Sequence, residues 1–203
     1  MNRARQRLET RRALVTEARA LFARHGYAAV SLAQIVGAAA VTKGALYHHF
    51  ESKADLFHAV VEQVQQEVGE RVAAAADAYD DPWEQLVAGC RAFLAVSRDP
   101  DVQRIMLIDG PAVLGWNEWR AMDEASSARH LTEALVTLIE AGVIARRPVE
   151  PLAHLLSGAM NEAALWLARS TDPDDLPAVT EELTRVLESL RDHRWPESPC
   201  DHR

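Results

Sequence analysis

Cysteine is nearly missing from this chain of 203 residues. Cys90 and Cys200 stand 110 positions apart, too sparse for the disulfide framework of a small secreted domain. Long apolar runs are missing too. The most apolar stretch, 152–168, is interrupted by His154, Asn161 and Glu162, so no transmembrane span is expected. The N-terminus opens on arginines with no apolar segment behind them, which does not read as a signal peptide. There is no G-x-S-x-G elbow, no H-E-x-x-H, no phosphate-cradling glycine loop and no C-x-x-C pair, which argues against the common enzyme classes. Nowhere do apolar and polar residues alternate as in a strand. The expectation is an all-α protein of the cytoplasm, without metal or cofactor.

Basic residues are also in deficit, 22 against 30 acids, which taken whole argues against a nucleic-acid partner. Dividing the chain reverses that conclusion. Residues 1–57 carry a net charge of +5, and the remainder carries −13. A basic head on an acidic body points to a local surface for nucleic acid.

What the head contains is specific. Residues 31–53 read SLAQIVGAAAVTKGALYHHFESK. Ser31 and Gln34 form an S-x-x-Q capping box for a first short helix, Thr42 caps a second, and Ser52 with Asp55 forms a second capping box that opens a third. Leu32, Ile35 and Val36 face inward on the first, and Leu46 and Phe50 anchor the second. That leaves Thr42, Lys43, Gly44, Tyr47 and His48 outside, a set suited to phosphates and base edges in a major groove. Tyr47 reads as a DNA contact rather than a core aromatic, because the inward positions are taken. His48 and His49 diverge by about 100°, so one metal cannot readily use both. One is expected at phosphate and the other at the domain seam. Lys53, at a helix start, fits either a phosphate contact or ordinary surface solubility.

The spacing is that of a helix-turn-helix. The run V-T-K-G-A-L-Y-H-H-F-E-S-K resembles the signature of the TetR/AcrR family of bacterial transcriptional regulators, over roughly the first quarter of the chain. The family pattern enters the turn as Ala-Gly-Val, where this chain has Ala39-Ala40-Val41. A positive φ there would cost Ala40 about 1 kcal/mol relative to glycine. The resemblance implies a dimeric, ligand-responsive regulator, more often a repressor, that binds a palindromic DNA operator. Its DNA-binding residues would be Ser31, Thr42, Lys43, Gly44, Tyr47, His48, His49 and Lys53. The rival readings are a helical enzyme and a protein-interaction module that has lost DNA binding.

The periodicity predicts about nine helices in three regions. Residues 1–51 form a three-helix DNA-binding head, 52–192 a helical domain to which the resemblance assigns effector binding and dimerisation, and 193–203 a disordered tail. Residues 1–7 read equally as a solvated tail or as a minor-groove arm. Leu14, Val15, Ala18, Leu21 and Phe22 set the first helix, which Gly26 ends. Leu56, Val60, Val64, Val68 and Val72 mark one long amphipathic helix leading out of the head. Asp81-Pro82 and Asp99-Pro100 are helix starts. In 104–116, Asp109-Gly110-Pro111 predicts a break, with Asp109 as a cap rather than a ligand-binding carboxylate. One helix is expected over 117–141 and two more over 149–169 and 176–192.

The resemblance also implies an effector pocket in the C-terminal domain and a dimer interface in the last two helices. Phe93, Met106, Val113, Trp116, Trp119 and Trp166 are the candidates for that pocket, although any one of them alone reads as core packing. A charge at Leu183 or Leu187 is expected to break the dimer. Cys90, on an apolar face, reads as a small hydrophobe.

Overall fold

Three side-chain caps build the head as the sequence predicts. Ser31 Oγ accepts the Gln34 amide at 3.3 Å, and Gln34 Oε1 accepts the Ser31 amide at 2.8 Å, closing the capping box. Thr42 Oγ1 accepts the Ala45 amide at 3.1 Å. Ser52 Oγ accepts the Asp55 amide at 3.0 Å, but the Asp55 carboxylate reaches back to the Glu51 amide instead of closing a second box. The computed structural model describes residues 3–191, and the expected tail 193–203 lies outside them.

The described residues form α1 (Arg3–His25), α2 (Leu32–Ala38), α3 (Lys43–His49), α4 (Lys53–Ala76) and α5 (Pro82–Val96). Then come α6 (Pro100–Val102), a π-helical segment (Gln103–Asp109), α7 (Gly110–Leu114), α8 (Trp116–Glu124), α9 (Ser127–Glu140), α10 (Val149–Leu167) and α11 (Asp175–Glu188). No strand occurs among them. The first three helices pack around Leu14, Phe22, Ile35 and Leu46, each fully buried. Helix α4 extends that core into the body, where it packs most extensively on α5.

Three local expectations are corrected. Helix α1 begins at Arg3, so the segment read as an arm is helical where it is described, with Arg5 paired to Glu9 one turn on. The stretch around Asp109-Gly110-Pro111 does not break. Its wider π turns run straight into α7, and the chain breaks only at Gly115, where φ is +83°. The helix expected over 117–141 divides at Ala125–Ser126 into α8 and α9. There the Ser127 hydroxyl donates to Asp123 Oδ1, and the turn lies against Gly69 of α4, where an added Cβ would stand 3.6 Å from the Ser127 amide.

The turn between α2 and α3 does place Ala40 at a positive φ, +51°. Ala40 is exposed, so glycine would meet no steric objection. Ala40→Gly should therefore stabilise the protein by about 1 kcal/mol. That corresponds to roughly 2–4 °C in thermal unfolding for a chain of this size.

Candidate nucleic-acid interface and effector cavity

Helix α3 presents one outward face because its other face is fixed. Leu46 is fully buried and Phe50 nearly so, which turns Thr42, Lys43, Gly44, Tyr47 and His48 to the surface. Lys43 Nζ sits 5.8 Å from the centroid of the half-exposed Tyr47 ring, grouping a cation and a phenol. A Cβ added at Gly44 would meet only the Thr42 hydroxyl, at 3.9 Å. The fold does not demand glycine there, and its bare backbone faces outward where another molecule can approach closely.

His48 and His49 part as their spacing requires, His48 exposed and His49 half-buried. Burial, then His48, Arg7 and Arg11, lower the His49 pKa and favour its neutral form. Arg11 stacks over the Phe50 ring at 5.3 Å. Arg7 and Arg11 thus bring positive charge from α1 to the end of α3. Sequence reading missed them as part of this surface, although their i, i+4 spacing puts them on one helix face.

Lys53 is a partial correction. Its ammonium donates to the Tyr27 and Val30 carbonyls, both at 2.9 Å, and lies 4.1 Å from the centroid of the Tyr27 ring. Neither surface solubility nor a phosphate contact alone describes it. It first ties α4 to the end of α1, with one N–H left over.

The same junction recruits Asp109. It makes no side-chain cap bond. Instead Oδ2 accepts the Tyr27 amide at 2.7 Å and the Arg104 Nε–H at 3.1 Å, binding the π segment to the head. Gly26 makes this possible. Its φ is +77°, and a Cβ there would lie 1.9 Å from an Arg104 guanidinium nitrogen. Arg19 adds a second tie, donating to Glu67 of α4 and to Asp101, with closest distances of 2.6 Å to each. Burial opposes charge on both Arg19 and Asp101. Burial is the largest single influence, but hydrogen bonding and charge attraction together outweigh it, holding the Asp101 carboxyl below and, with Glu67, the Arg19 guanidinium above its ordinary value.

The body holds a cavity of about 230 Å³ between α4, α5, α9 and α10. Of the six residues expected to line one pocket, only Phe93 lines it. Trp119 and Met106 are core residues, joined by a 2.8 Å hydrogen bond from the indole N–H to the Met106 carbonyl. Val113 is half-buried and outside the cavity lining, and Trp116 is 60% exposed on the surface beside Trp119. Trp166, 49% exposed, lines a separate apolar groove between α10 and α11. Residue type selected these six, but the faces of α4, α5, α9 and α10 that meet decide what lines the cavity.

Cys90 also lines it, and burial pushes its thiol up to about 12. It is a small hydrophobe, as expected. At the inner end Asp123, 3% exposed, accepts from Arg120, Ser157 and Asn161 through Oδ2 and from Ser127 through Oδ1. Sequence reading missed this cluster, whose members come from three helices. Among the described residues no group of three or more metal-ligating side chains gathers. No helix there is long and apolar enough to cross a membrane.

Comparison with known proteins gives this arrangement its context. The family described as bacterial regulatory proteins, tetR family, matches residues 14–60. The tetracyclin repressor-like C-terminal domain matches residues 83–190. The Transposon Tn10 TetC protein of Escherichia coli is 30% identical over 149 residues, 73% of this chain and 75% of that protein. A probable acrEF/envCD operon repressor of Escherichia coli K12 is 33% identical over 106 residues, 49% of this chain and 47% of the relative. The crystal structure of a TetR-family transcriptional regulator from Pectobacterium atrosepticum superposes with a TM-score of 0.78 at 38% identity, covering 95% of this chain and 98% of that one. Head, connecting helix and body therefore belong to one known architecture, that of ligand-responsive DNA-binding proteins and not of enzymes, and the chain is a member of the TetR family of transcriptional regulators.

Proposed function

We propose that this regulator is a cytoplasmic repressor that binds a near-palindromic operator as a homodimer and leaves it when a small molecule fills the body cavity. The outward face of α3 is the observation that carries the DNA part. Its anchors are buried while Thr42, Lys43, Gly44, Tyr47 and His48 stand free of the core. These five enter the major groove, with Lys43 at a phosphate. Ser31, at the exposed start of α2, and the remaining N–H of Lys53 take further phosphates. His49 supports the helix end from the seam rather than reading bases.

Pairing is supported by the groove between α10 and α11. Trp166 is 49% exposed and Val186 51%, large apolar side chains lining that groove that solvent disfavours, and Leu155, 72% exposed, stands elsewhere on α10. A second copy of the same two helices covers the groove and sets the head-to-head spacing. Half-site centres then lie about 34–36 Å apart or at a multiple of that distance.

The switch follows from what lines the cavity. Val72, Ala73 and Ala76 of α4, with Asp77 just past its end, form one wall, and the same helix carries Lys53 at its far end, bonded to the head. An occupant that shifts α4 alters the separation of the two heads. By linkage it weakens DNA binding by the factor with which DNA weakens its own binding, typically about 1–3 kcal/mol.

Selection of operator DNA from a random pool, followed by a screen for compounds that release it, tests this reading. Selection of no sequence at all would favour an interaction module that kept the head without its function. Ala134, half-buried on the cavity wall, supplies a further prediction. Ala134→Phe should fill the cavity. A compound that releases the wild-type protein should then be needed at ten or more times the concentration, with operator affinity itself unchanged.

A further inference from the structure

The charge and hydrogen-bonding capacity of the cavity lining restrict what can occupy it. This step rests on the effector reading above and concerns the chemistry of the occupant. The walls are apolar, with Leu86, Phe93, Leu131 and Met160 among them. Three carboxylates also line the cavity, Asp123 inside and Asp77 and Glu133 on exposed positions at the mouth. No lysine or arginine is in the lining, and the imidazole that is, His130, lies 3.7 Å from the Glu133 carboxylate. Arg120 lies behind Asp123, its guanidinium committed to Asp123, Ser157 and Glu124.

Asp123 has spare capacity on one side only. Its Oδ2 accepts from three donors, at 2.9, 3.4 and 3.1 Å, and is saturated. Its Oδ1 accepts one hydrogen bond, from Ser127 at 3.2 Å, and a carboxylate oxygen offers two lone pairs. An acceptor is therefore unfilled at the inner end of an apolar cavity. Behind it, outside the lining, Asn161 is 4% exposed, and its amide oxygen has no partner although its nitrogen donates to Asp123. Buried acceptors without donors are costly, so an incoming group that donates is rewarded. An incoming carboxylate would meet an acceptor-rich end and pass two like charges on the way, with no lysine or arginine to receive it and with His130 already beside Glu133.

We propose that the effector is a compact, largely apolar molecule that is neutral or cationic and carries a hydrogen-bond-donating group, hydroxyl or ammonium, for Asp123 Oδ1. Organic anions of the same shape are rejected.

Three probes sharing one naphthalene frame test this by calorimetry on the full chain at neutral pH: 2-naphthol, 2-naphthylmethylammonium and 2-naphthoate. Naphthol and the ammonium should bind, and naphthoate should bind at least tenfold more weakly or not at all. Ala134→Phe should weaken the two binders by a factor of ten or more. Asp123→Asn would take the closest carboxylate from buried Arg120, leaving only Glu124 at 3.4 Å, and endanger the fold, so the surface double variant Asp77→Asn/Glu133→Gln is preferred. It should narrow the gap between ammonium and naphthoate several-fold. Naphthoate binding as tightly as naphthol, with Ala134→Phe abolishing both, would overturn the anion exclusion while sparing the cavity as an effector site. Binding indifferent to Ala134→Phe, or no binding by any probe, would overturn the cavity reading and this inference together.

Discussion

Lys43→Ala is expected to lower operator affinity by roughly 10- to 100-fold, the range of a lost hydrogen bond to a charged group. It should also flatten the dependence of log affinity on log salt by about one unit if the ammonium meets a phosphate. Tyr47→Ala should weaken binding comparably without changing that slope, because a phenol releases no counterion. Neither side chain supports the core. Both are exposed on α3, whose hold on the head comes from Leu46 and Phe50. The helical circular-dichroism signal and the melting temperature should therefore match the wild type. Gel shift or fluorescence anisotropy across a salt series reads both quantities. Unchanged affinity in both variants would remove α3 from the groove.

The second large effect concerns assembly. Leu183 is half-buried and Val186 is 51% exposed, and both line the apolar groove between α10 and α11. A glutamate at either position should be tolerated in the monomer yet place a charge in the paired face. Light scattering should report a monomer, and specific operator binding should fall below detection, since one head loses the second half-site. Leu187, expected from the sequence to serve equally well, is a correction. It is 1% exposed and packs in the core, so a charge there would unfold the chain rather than separate the copies. A dimer that persists in both Leu183→Glu and Val186→Glu would put the interface elsewhere.

How much the sequence revealed depended on whether a signal was local. Ser31, Thr42 and Ser52 announced three helix starts because a cap and its amide lie within three residues of each other. The outward face of α3 was legible for the same reason, its inner positions being visibly apolar. The break between α8 and α9 was not, for no glycine or proline marks it. What ends α8 is the approach of α4 at Gly69 together with the Ser127–Asp123 bond, and both depend on packing. The π segment 103–109 has no compositional signature either. Asp109 was misread as a cap because its partner, the Tyr27 amide, lies 82 positions away. The cavity was the least legible part. Tryptophan and methionine were sensible candidates by size, yet alanines, a glycine and a buried aspartate make up much of the lining.

The bond from the Tyr27 amide to Asp109 has a consequence for portability. Its donor is main chain, which every residue except proline supplies, so the body grips the head by a group that carries no side-chain identity. Apart from Arg19, whose guanidinium crosses to Glu67 and Asp101, the requirement imposed on the head is one of backbone shape, a glycine-like turn at position 26 that leaves room for Arg104. Heads with different recognition helices should thus be exchangeable on this body if the exchange is made within α4 and both the turn and an arginine at position 19 are kept. Such chimaeras would read new operators while answering to the same small molecule.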